Sequence, residues 1–236
     1  MATSGTPELG MVLSPNLVLA QEINRAWRQV EAMPGIATAY IHDAPARLAS
    51  HPASGRIDAL VMLALLAART QRVRPGLVVA AARIHSPEGF SRLTPLVKSR
   101  AVDGLDLAVE LGTWRDRSAQ SGMCDGSPLV PLLTISVVSA RALAVAAFAA
   151  RSALRHLSDL APGTVPPVSG LVPKRAQDFI TMNAAALIST CQDPQCARRR
   201  VDEAVDLGFG SVVLEVGHGR DAGSWLRECL PGSAGE

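Results

Sequence analysis

The sequence predicts an α/β protein with a mainly parallel sheet, formed by a single domain over residues 1–236. Two observations carry that expectation. Short runs rich in Val, Leu and Ile alternate along the chain with longer runs of helical period. Hydrophobic residues make up 48% of the chain but aromatics only 3%, so Ala, Val and Leu must fill the core. Such small side chains suit close packing of helices on a sheet.

The first strand reads as Leu9–Leu13, ended by Ser14-Pro15-Asn16. A helix follows from Leu17 to Ala32, with Leu17, Ala20, Ile23, Trp27 and Val30 on one face. Gly35 stops it, and a short strand, Ala37–Ile41, leads to His42-Asp43-Ala44-Pro45. Residues 44–56 form a loop before the helix Ile57–Thr70 and the strand Gly76–Ala81. A third helix over Glu88–Arg100 is kinked or shortened by Pro95. The strand Leu105–Leu111 alternates weakly, as expected for burial on both faces.

Irregular loops near 115–131 and 158–175 flank the strand Leu132–Val138 and an Ala-rich helix from Ser139 to Leu157. Phe179–Ile188 is strand-like. Asp193-Pro194 supplies an N-cap and a first-turn proline for a helix to Leu207. Gly208-Phe-Gly210 ends it before the last strand, Ser211–Val216, and a terminal helix through Trp225 and Leu230. Strands followed by helices imply right-handed crossovers, in a doubly wound sheet or a barrel. No GxGxxG follows the first strand and no GxxxxGK[ST] occurs, which counts against dinucleotide-binding and P-loop folds.

A formal charge of +2 gives no electrostatic case for nucleic acid or an anionic membrane. The N-terminus lacks the charged and apolar regions of a signal peptide, and the apolar windows at Ile57–Ala68 and Ala142–Leu154 are too short to span a bilayer. These features predict a cytoplasmic protein. Cys124, Cys191, Cys196 and Cys229 contain no CxxC pair, so they read as free thiols with no metal site.

Several stretches, in order, resemble the luciferase-like monooxygenase superfamily. Ile57–Val79 is similar to that family's Leu/Ala-rich helix, basic joint and Gly-x-x-Val strand. Arg83-Ile-His-Ser-Pro87 is similar to the loop before its third helix, and Leu105–Trp114 to a strand ending in Gly-x-Gly-Trp. Ala184–Pro194 and Arg198–Leu214 have the shape of its C-terminal part. The resemblance implies a TIM-like (β/α) barrel, here shortened or incomplete, because family barrels are tens of residues longer. It also implies an oxidoreductase that uses coenzyme F420 or FMN on a small organic substrate, with its site at the C-terminal strand ends. Val78-Val79 would be the bulge, with a cis peptide, that backs the cofactor ring. Arg83, His85, Thr113, Trp114, His218 and Arg220 would be further cofactor contacts.

Each candidate also has a bland reading. His42 and Asp43 at a strand end suit general acid/base chemistry, or a surface turn. Glu110 inside a barrel would be catalytic, or paired with an Arg. Arg83 and His85 would hold a phosphate or cap a helix. Trp114 would line a pocket or cover the rim. Gly217-His218-Gly219-Arg220 would bind phosphate or form a structural turn. Altered acid positions and missing loops keep two alternatives open, a non-catalytic flavin-binding or partner subunit and a non-redox biosynthetic enzyme. A shortened barrel with exposed strand edges would form a homodimer or hetero-oligomer.

Overall fold

The computed structural model describes residues 7–13, 20–43, 58–80, 104–110, 129–137, several between 142 and 152, 181–188, 193–216 and 221–229. Seven strands close into a barrel in chain order: β1 (Glu8–Leu13), β2 (Ile36–Asp43), β3 (Arg74–Ala80), β4 (Leu105–Glu110), β5 (Val130–Val137), β6 (Thr181–Ile188) and β7 (Ser211–Glu215). The bounded helices among the described residues are α1 (Ala20–Glu31), α2 (Ala59–Ala67), α3 (Pro194–Asp206) and α4 (Ala222–Cys229). Further helical residues lie between 142 and 152, where Ala142, Ala146 and Ala149 turn inward at helical spacing.

The helix-surrounded parallel (β/α) barrel expected from the sequence is corrected here to a closed seven-stranded mixed barrel with few helices among its described residues. The difference lies in β5, which is antiparallel to both β4 and β6, while every other pairing is parallel. A parallel neighbour requires a crossover to the opposite end, usually a helix. Residues 111–129 carry no helical period, and Glu110 stands opposite Leu132, so the chain re-enters at the end it has just left. The segment from 138 to 180 leaves and returns at the other end, since Ser136 pairs with Thr181. That second reversal restores β6 to the direction of β7 and β1.

Strand alternation sorts the side chains into two cores. Facing out are Met11, Leu13, Ile41, Leu77, Val79, Leu107, Val109, Ile135, Val212 and Leu214, which meet Ile23, Trp27 and Val30 of α1, Leu63 and Leu66 of α2, Val201 of α3 and Leu226 of α4. Facing in are Val12, Tyr40, Val78, Ala108, Leu132, Ala185, Leu187 and Val213. Tyr40, the chain's single tyrosine, occupies the middle of the interior. Gly10 and Gly76 make room for it: a Cβ at Gly10 would lie 2.9 Å from the ring, and one at Gly76 would overlap it.

Polar groups occupy both ends of the interior. Where the parallel strands begin, the Asp106 carboxylate accepts from Arg74 Nε at 2.9 Å, Thr38 Oγ1 at 3.2 Å and Ser136 Oγ at 2.7 Å. Arg74 also pairs with Glu8, and the group borders a cavity of about 20 Å³, the size of a single water. Where they end stands a different cluster.

Candidate active site

His42 is the penultimate residue of β2, Glu110 the last of β4 and Glu215 the last of β7. Interior-facing positions at three strand ends therefore converge on one point. His42 Nε2 lies 3.2 Å from Glu110 Oε1, and Nδ1 lies 3.9 Å from Glu215 Oε1. The first is a contact at the edge of hydrogen-bonding range, the second a charge–charge separation. His42 is 1% exposed, Glu110 2% and Glu215 5%. Water therefore screens these charges little.

Burial opposes protonation of His42 and is the largest single influence on it. Glu110, by its close contact and its charge, and Glu215, by its charge, together outweigh it and raise the imidazole pKa above its ordinary value. The raised pKa favours the imidazolium, the form of His42 that can donate a proton. Among the described residues, no group of His, Cys, Asp and Glu is arranged to hold a metal ion.

Two residues picked from the sequence as catalytic, His42 and Glu110, meet here. Asp43 does not join them: it follows His42 on the strand and is half-buried on the opposite face. Val78 sits beside His42 across the β2–β3 ladder and faces in, whereas Val79 packs outward. β3 pairs in continuous register through both valines, and the described peptide bonds are trans. The bulge and cis bond implied at Val78-Val79 are therefore not present. Arg83, His85, Thr113, Trp114, His218 and Arg220 lie outside the described residues.

Glu215 is the member that sequence reading missed. Its signal was present: Leu214-Glu215-Val216 repeats Val109-Glu110-Leu111, a lone carboxylate near the end of an apolar strand. A carboxylate at a position otherwise buried on both faces needs a partner, and two such strands sharing one histidine supply it.

No described helix is long and apolar enough to cross a membrane. A scan against models of known protein families finds none that matches this chain, and a search of characterised proteins finds no relative.

Proposed function

We propose that the chain is an enzyme that moves a proton to or from a small organic substrate at the barrel end holding His42, Glu110 and Glu215. The observation that carries this reading is the 3.2 Å approach of His42 Nε2 to Glu110 Oε1 inside the barrel. Burying charges at a strand end costs stability that an apolar layer would not. A buried histidine whose pKa is raised by two carboxylates is a candidate for chemistry. In this reading His42 is the proton-transfer residue, and Glu110 and Glu215 keep its ring charged and oriented.

The reaction we favour is an oxidoreduction, as the resemblance of Ile57–Trp114 implies, with FMN or F420 as the hydride carrier. The described residues fit the proton half of such a reaction. The residues implied for the cofactor's phosphate lie outside the described segments. A second reading is non-redox acid–base catalysis in the same barrel. It is favoured by a centre whose described groups are all acids and bases. We place the protein in the cytoplasm, a reading supported by its low cysteine content, four in 236 residues.

The test is titration of the purified protein with FMN and with F420, followed by fluorescence, beside turnover of small alcohols and aldehydes read at the cofactor's absorption band. Binding of one cofactor by both wild type and His42→Gln, with turnover at least a hundredfold lower in the variant, is the expected result. Binding of neither cofactor removes the redox assignment and leaves the non-redox reading. Undiminished turnover in His42→Gln overturns the proton-transfer role.

A further inference from the structure

Helix α2 is apolar all the way round. Ala59, Met62, Leu63, Leu66 and Ala67 are buried, as the inner face of a surface helix should be. The opposite face is Val61, Ala64, Leu65 and Ala68, at the i, i+3, i+4, i+7 spacing of a packing stripe, and it is exposed. Val61 is 52% and Leu65 55% accessible. A helix on a monomer's surface ordinarily carries charge there. Every residue from Ala59 to Ala68 is apolar, so charge flanks the helix only at its ends, with Asp58 before it and Arg69 after it.

We infer that this stripe is the apolar centre of a two-fold interface between two copies of the chain, with the α2 helices antiparallel. The arrangement of charge selects this occupant. A two-fold axis near Ala64 and Leu65 brings Asp58 of each copy to the end of α2 where the other presents Arg69, so both ends are complemented by the same sequence. It also opposes the two helix dipoles. The small side chains of Ala64 and Ala68 allow close approach of the helices, and Val61 and Leu65 interdigitate across the axis. An isologous contact needs a self-complementary surface, and a stripe with an acid at one end and a base at the other has that property. An anionic membrane would select bases at both ends, which Asp58 contradicts.

The helix from Asp58 to Arg69 is about 17 Å long at 1.5 Å per residue, too short to bury the ~800 Å² per partner of a standard interface by itself. Helix α1 packs beside α2 and exposes Gln21, Arg25 and Arg28, side chains suited to a polar rim. This inference is independent of the reaction at His42. It also replaces strand edges as the reason to associate, because the barrel closes on itself.

Sedimentation equilibrium of the full chain at micromolar concentration tests it. A dimer is expected, converted to monomer by Leu65→Glu with an unchanged far-ultraviolet circular dichroism spectrum. Arg69→Glu should weaken association at least tenfold. Adding Asp58→Asn, which keeps a capping side chain, should restore part of that loss. Should Leu65→Glu misfold, Ala64→Cys gives an independent reading: under mild oxidation it should cross-link two copies where wild type does not. A monomeric wild type overturns the inference, whether the stripe is then covered by another segment of the chain or by a different protein. So does a dimer that survives Leu65→Glu.

Discussion

His42 is held by two carboxylates from strands on either side of it in the barrel, and that support must appear in the pH dependence of folding. In the unfolded chain the imidazole titrates near 6.5. In the barrel its pKa is raised, because Glu110 and Glu215 outweigh the burial that opposes charging. Protonation is therefore linked to folding. The stabilisation is fully present below the unfolded value and is lost as pH rises through the folded one. Urea unfolding from pH 6 upward should show a declining midpoint. A nuclear magnetic resonance titration should place His42 above 6.5, and Glu215→Gln should bring it down. A His42 that titrates at or below 6.5 in wild type sinks the account. His42 and Glu110 were legible in the sequence because each is a polar residue at the end of an apolar strand. Their meeting was not, because it depends on which strands face one another across the closed barrel.

Elements were more legible than their directions. All seven strands could be read from local apolar runs, and α3 begins where Asp193 and Pro194 place its cap, with Asp193 Oδ1 accepting from Gln195 N at 3.0 Å. The reversal of β5 left only a negative trace, the lack of helical period over 111–129. A second device escaped sequence reading entirely, the lock between α1 and the turn before β3. Glu31 at the end of α1 accepts backbone N–H groups from Gln71 at 2.8 Å, from Arg72, and from Val73 at 3.2 Å. Arg72 returns the contact, donating to the carbonyls of Val30, Glu31 and Ile36, each at 2.7 Å. Arg72 thus satisfies the Glu31 carbonyl that the end of α1 leaves open and adds a second donor to that of Val30, and Glu31 fixes the entry to β3 across some forty positions of sequence. Such reciprocity cannot be seen in an Arg and a Glu so far apart. Glu31→Ala should cost about 2 kcal/mol, reflecting charge-assisted bonds in a part-exposed setting. It should also speed amide exchange at Gln71 and Val73. Unchanged stability together with unchanged exchange would show that the lock holds nothing.

For the whole molecule, the closed interior is the constraint that ties fold to site. A barrel of seven strands encloses little space, and its cross-section must be filled by side chains. Here one aromatic ring does most of that work: Tyr40 is 3% exposed, and burial, with the Asp106 charge adding to it, pushes its phenol pKa above the ordinary range. Its ring separates the Arg74–Asp106 network at one end from the His42 cluster at the other. The two glycines beside it are the complement of its volume. A methyl group at Gly76 would collide with the ring on one side and meet the Asp106 carbonyl at 3.0 Å on the other. That carbonyl belongs to β4, in register with Gly76, so it cannot retreat without breaking the ladder. Gly76→Ala should therefore destabilise by about 2–3 kcal/mol, the upper part of the range for overpacking. Gly10→Ala, whose methyl meets only the ring edge closely, should cost less. If the collision is with Tyr40, then in a Tyr40→Leu background the penalty of Gly76→Ala should shrink by at least about 1 kcal/mol, as expected for residues in contact. Urea unfolding of the four proteins in that cycle measures the coupling. Strict additivity would mean that Tyr40 does not fill the centre of the barrel, and that the two polar ends are not kept apart by its ring.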